Sequence, residues 1–152
     1  MSTNSRTIDA TPDEVFAVLA DGWLYPLWVV GASRMRAVDE DWPAPGSRLH
    51  HSVGAWPLLI DDDTEVIEQE PLLLVLRARA WPSGEAEVRI RLEPIGSSTR
   101  VTMHEDAVGG PGRLLPGPAR HPLLHMRNRE GLRRLAMLVE GRRSAQGTTA
   151  DR

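Results

Sequence analysis

The sequence predicts an α+β domain in which one antiparallel sheet curves around a long C-terminal helix. Apolar and charged residues alternate with period two in segment after segment between Gly31 and His104, as half-buried strands do. A short, well-signalled helix precedes that region, and a long amphipathic stretch from Pro122 to Arg143 follows it. Several of the predicted strands carry charge on one face and small or apolar residues on the other, so one face of the sheet is wet and a single helix suffices to cover the other. Curvature then leaves a space between sheet and helix.

The elements follow in order. Arg6 to Ala10, partly β-branched, reads as a strand. Thr11-Pro12-Asp13-Glu14 is a helix start: threonine caps, proline stands where its missing N–H costs nothing, and Glu14 completes a capping box. Val15, Phe16, Val18 and Leu19 form its apolar stripe and Gly22 ends it. Trp23 to Val30, broken by Pro26, suits a second short helix or turn. Strands are expected where Ser33, Met35 and Ala37 alternate with Arg34 and Arg36, over Arg48–Val53 with Leu49, His51 and Val53 on one side, and over 64–70, whose facing the pattern leaves open. Leu72–Ala80 follows. Then come the strict alternation of Ala86, Val88, Ile90 and Leu92 with charges, and Thr99, Val101 and Met103, a parity that turns Glu105 inward near a strand end. Residues 108–121, rich in Gly and Pro, form a loop long enough for a lid or a disordered segment.

The last helix is the organising element. At helical spacing Leu124, His125, Asn128, Leu132, Leu135, Ala136 and Val139 share one side, and Arg127, Arg129, Glu130, Arg133, Arg134 and Glu140 the other. His125 and Asn128 interrupt the leucines, and an unpartnered buried polar group costs about 1–3 kcal/mol. Either they face a cavity, or they find backbone partners.

Composition narrows the function classes. A length of 152 residues favours one domain, taken as 1–143, with the apolar-free tail 144–152 flexible. A net charge of −3 is too small to indicate a nucleic-acid partner. The chain has neither cysteine nor lysine, which excludes disulfides, thiol chemistry, Schiff bases and a P-loop. No apolar run reaches the length of a membrane span and the N-terminus lacks a signal-peptide core, so the expected location is cytoplasmic. His50-His51 with His104 makes a poor metal set, because neighbours on a strand face opposite ways. Asp61-Asp62-Asp63 lacks the spacing of a calcium loop and reads as a solvated turn. Neither a metal nor a cofactor is expected.

The stretches TIDATPDEVFAVLAD and TRVTMHED, the Trp23/Trp28 pair, the Pro45-Gly46-Ser47 turn and the final helix with Arg127-Asn128-Arg129 together resemble the SRPBCC superfamily. This is the START-like, Bet v 1-like group that includes polyketide cyclases and dehydratases. The resemblance implies a helix-grip fold: a seven-stranded antiparallel sheet gripping the C-terminal helix, two small helices closing one end, and a hydrophobic cavity between. It also implies ligands of lipid, polyketide or aromatic type, but no enzyme signature accompanies it.

The expected inward-facing set is Met35, His51, Glu105, His125 and Asn128, with Trp28 and Trp56 near the mouth. The leading expectation is binding of a small hydrophobic or amphipathic molecule, without chemistry. Alternatively, His51 and His125 act as acid and base, oriented by Glu105, in a cyclase- or dehydratase-like enzyme. A third reading is a protein-interaction module using the exposed sheet face, the Leu114-Leu115 loop, or Met126 and Met137 on the charged back of the helix. Monomer and homodimer both stay open.

Overall fold

A computed structural model describes residues 1–80, 84–109 and 117–150 of the chain. Strand β1 (Ser2–Ile8) is followed by α1 (Pro12–Leu19), a 3-10 turn (Gly22–Leu24) and α2 (Tyr25–Trp28). Six strands then run consecutively: β2 (Ala32–Val38), β3 (Arg48–Ala55), β4 (Leu58–Glu70), β5 (Leu73–Ala80), β6 (Gly84–Ile95) and β7 (Ser98–Gly109). Helix α3 (Gly117–Ala150) closes the order. Among the described residues the strands form one antiparallel seven-stranded sheet in the order β1-β7-β6-β5-β4-β3-β2. This is the helix-grip arrangement, with α1 and α2 after the first strand.

The expected helix start is present in full: Thr11 Oγ1 accepts from the Glu14 amide at 3.3 Å, and the Thr11 amide donates to Glu14 Oε2 at 2.7 Å. That interaction holds the Glu14 carboxyl below its usual range. Ile8, Val15, Leu19, Leu49, Leu74, Ile90, Leu92 and Val101 meet Leu132, Leu135, Ala136 and Val139 of α3 in one core. Burial of these side chains is the main driving force for closing the sheet on the helix. The far end of α3 is tied to the start of the chain. Arg142 pairs with Asp21 at 3.0 Å, Arg143 with Asp9 at 3.2 Å, and the Asp9 amide donates to Glu140 at 3.1 Å.

Several expected boundaries shift. The first strand is Ser2–Ile8 rather than Arg6–Ala10, because a polar segment is recruited to the sheet edge by pairing with β7. Strand β4 begins at Leu58, so the three aspartates lie in the ladder, not in a solvated turn. They are tolerated there because cations on flanking strands meet two of them: Arg36 lies 3.4 Å from Asp61, and Arg48 and Arg79 lie 3.4 and 3.3 Å from Asp63. The open facing of 64–70 resolves with Thr64 and Val66 inward. In β2 two register shifts replace the expected period of two, and Ala32, Met35 and Val38 become the half-buried positions. A bulge adds a residue and turns the side-chain sequence over.

Helix α3 starts at Gly117, so Pro122 lies inside it rather than at its start. It also continues through 144–150, where a flexible tail was expected. Extending an established helix costs far less than starting one, and Ser144 Oγ donates to the Glu140 carbonyl at 3.0 Å. Of the Gly/Pro-rich segment, residues 108–109 belong to β7 and 117–121 to α3, while 110–116, including Leu114-Leu115, lie outside the described residues.

Candidate functional site

The core fills only the part of the sheet that faces the C-terminal half of α3. Opposite the N-terminal half the wall residues shrink: Ala32, Gly54, Ala78 and Ala86 on the sheet side, and Gly131 on the helix. A cavity of about 260 Å³ remains. Its floor is apolar, from Trp28, Val53, Leu76, Val88 and Met103. Helix α3 comes close to α2 here because position 131 is glycine; a Cβ at Gly131 would lie 3.1 Å from the Trp28 carbonyl oxygen.

Two polar clusters interrupt the apolar wall. In the first, Glu105 from β7 is 3% exposed and meets α3. Its Oε2 accepts from Asn128 Nδ2 at 2.7 Å and its Oε1 from Arg127 Nη2. The carboxylate thus has charge-assisted partners on both oxygens, which makes its burial tolerable. Arg127 is 38% exposed and lines the cavity. Among the described residues its Nε and Nη1 have no hydrogen-bond partner.

The second cluster is Tyr25, His51 and Thr64. His51 Nε2 lies 2.9 Å from Thr64 Oγ1, which lies 3.1 Å from the Tyr25 hydroxyl. The imidazole and phenol rings pack at 5.2 Å between centroids, and Tyr25 meets Trp28 edge-on at 5.5 Å. Burial pushes the Tyr25 phenol up to about 12, against the Thr64 hydrogen bond. Burial likewise lowers the His51 pKa, against the opposing pull of Asp62 and Asp63. Both groups are therefore neutral at neutral pH. His51 is 2% exposed, yet its Nδ1 has no hydrogen-bond partner. Asp62 stands directly opposite His51 in the ladder, and its Oδ2 is also buried without a partner.

Of the seven residues expected at the site, Trp28, His51, Glu105 and Asn128 line the cavity. Three do not. Met35 stands opposite His51 in the ladder and packs against the core from β2, outside the cavity lining. Trp56 sits at the β3–β4 hairpin, 86% exposed, because β4 starts six residues early and turns the supposed loop into a hairpin tip. His125 is exposed and faces β1: Asn4 Nδ2 donates to its Nδ1 at 3.0 Å and to its carbonyl at 3.2 Å. The cavity-facing arc of α3 is rotated from the expected one, so Arg127, placed on the outer side by sequence, lies inside it. Tyr25, Thr64 and Gly131 were also missed. Tyr25 is the only tyrosine of the chain, and a buried tyrosine hydroxyl requires a partner. A glycine within a long helix is a signal of close approach.

Residues 2–140 match the family model described as polyketide cyclase / dehydrase and lipid transport. The chain belongs to this family, and with it to the SRPBCC superfamily. Comparison with curated proteins finds no match. Among solved structures the SRPBCC chain is similar to a protein from Rhodobacter sphaeroides, with 22% identity, 91% of each chain covered and a TM-score of 0.70. It is similar to Ara h 8.0201, with 14% identity, 91% of this chain and 96% of that one covered, and a TM-score of 0.65. It also resembles the di-domain ARO/CYC StfQ from the steffimycin biosynthetic pathway, with 11% identity and a TM-score of 0.71, covering 93% of this chain and 51% of that one. At these identities the likeness speaks for the fold. Family and site together indicate ligand binding or polyketide cyclase/dehydrase-like function. Among the described residues no helix is long and apolar enough to cross a membrane.

Proposed function

We propose that this SRPBCC protein binds one small, compact hydrophobic or amphipathic molecule between the sheet and the N-terminal half of α3. The observation that carries this reading is an apolar chamber with a buried, unpartnered imidazole nitrogen on its wall. Its volume of about 260 Å³ lies near the lower end for ligand pockets, roughly 300–1,000 Å³. That size favours one or two fused rings over a steroid or a long acyl chain.

Binding accounts for the polar groups better than acid–base catalysis does. The lowered pKa of His51 leaves the ring neutral at neutral pH, so it is not poised as the acid of an acid–base pair. Its relay through Thr64 ends in a phenol pushed up to about 12, a poor proton source. Glu105 is committed on both oxygens, and His125 lies outside the chamber. A cyclase- or dehydratase-like activity remains the second reading, supported by the family description; it requires turnover of a polyketide-like substrate that His51→Ala abolishes.

Titration with bicyclic aromatic compounds and with fatty acids, followed through the Trp28 indole N–H resonance, tests the first reading. Saturable one-to-one binding with a preference for the bicyclic compounds is expected. No saturable shift with any compound would remove the proposal.

A further inference from the structure

A hydrogen-bonded chain of Tyr25, Thr64 and His51 has a direction. In one sense Tyr25 donates to Thr64 and Thr64 donates to His51 Nε2, which leaves the single proton of the neutral ring on Nδ1. In the other, His51 Nε2–H donates to Thr64, Thr64 donates to Tyr25, and Nδ1 carries a bare lone pair. Asp62 decides between them. It is the direct cross-strand partner of His51, buried on the same inner side, with a carboxylate oxygen that has no hydrogen-bond partner. A negative charge in that position repels a lone pair on Nδ1 and attracts an N–H. That charge favours the tautomer with its proton on Nδ1.

The other polar cluster has the same sign. Arg127 is a donor only. Glu105 occupies its Nη2, and Nε and Nη1 have no partner among the described residues. Glu105 Oε2 also takes one N–H of the Asn128 amide. Each cluster thus offers the chamber an N–H or ring nitrogen that no described side chain occupies.

We infer that the cavity selects molecules bearing hydrogen-bond-accepting oxygens (ketone, quinone or carboxylate), which satisfy His51 Nδ1–H on one wall and the spare N–H groups of Arg127 on the other. The inference rests on the binding function proposed above and narrows its ligand class. A ring without polar atoms leaves the buried His51 Nδ1–H unpaired and gives the partly exposed Arg127 no new partner. Buried unpaired groups are the strongest source of discrimination a small pocket has.

Two measurements test this. In the free protein, nitrogen–proton correlation spectra of the imidazole rings should show His51 protonated on Nδ1; a proton on Nε2 overturns the inference. Calorimetric titration with 1,4-naphthoquinone, naphthalene and 1-naphthylamine then compares two acceptors, no polar atom, and a donor on one ring system. The quinone should bind about tenfold more tightly than the other two, and Asp62→Asn should reduce that preference several-fold. Equal affinities overturn the inference and leave the binding function standing. If none of the three binds, the binding function falls and the inference with it.

Discussion

His51 is held neutral by its surroundings, and that has a consequence for stability against pH. Its folded pKa lies below the ordinary value of 6.5, so in the acid range the unfolded chain binds a proton that the folded one refuses. Stability must then rise with pH in this window. It is fully present above the unfolded value and is lost progressively as pH falls below it. Urea unfolding between about pH 7 and pH 5, above the main carboxylate range, should show this slope. His51→Phe should flatten it. At the other cluster, Asn128→Ala strips a donor from a buried carboxylate and should cost about 1–3 kcal/mol in the same assay. Glu105 and Asn128 were legible from parity and helical spacing, since each is a polar residue at an apolar position. Arg127 was not. At about 100° per residue His125 and Arg127 fall on opposite flanks of Asn128, so a modest rotation of the contact arc exchanges one for the other; Asn4, Glu105 and the close approach at Gly131 set that rotation.

The elements show which local signals are self-sufficient. The α1 capping box involves only residues within one turn, and it forms as read. Thr11→Ala removes it and should destabilise the protein by about 0.5–2 kcal/mol. In β6 and β7 strict alternation located the strands and the inward Glu105, because those strands pair without internal interruption over most of their length. Strand β2 was misread at Ser33 and Ala37 because its two bulges depend on β3, not on its own residues. Strand β4 was cut short because three aspartates look like a turn until the arginines of β2, β3 and β5 are placed beside them. The two glycines within the described part of α3 that differ in surroundings make a paired test. A Cβ at Gly141 meets nothing within 4 Å, whereas at Gly131 it crowds the Trp28 carbonyl at 3.1 Å. Gly141→Ala should therefore gain up to about 1 kcal/mol from helix propensity. Gly131→Ala should forfeit that gain by forcing α2 and α3 apart, and thermal unfolding of the two variants compares them directly.

For the molecule as a whole, the hollow is a matter of side-chain size on a sheet that otherwise packs well. Enlarging one wall residue should fill it without disturbing the fold. Ala86→Leu is expected to keep or raise thermal stability, since the added methyl groups enter empty space rather than an occupied core, while abolishing ligand binding. A loss of stability of several kcal/mol would show instead that the space is not there. The fold and the existence of a chamber were legible from the order of elements. The size of the chamber was not, because it depends on alanines and glycines that draw no attention in a sequence until strand register aligns them.

Helix α3 changes character at Gly131. Toward its C-terminus, leucines and ion pairs fasten it. Toward its N-terminus the described polar contacts that retain it are those with Asn4 and Glu105, and Pro122 deprives that stretch of a backbone donor. Breathing of the helix therefore begins at one end and needs far less energy than melting the protein. Amides at 123–128 should exchange with deuterated solvent orders of magnitude faster than those at 132–139. The half of the helix that lines the chamber is thus the half held least firmly, so the chamber wall is expected to open before the core does.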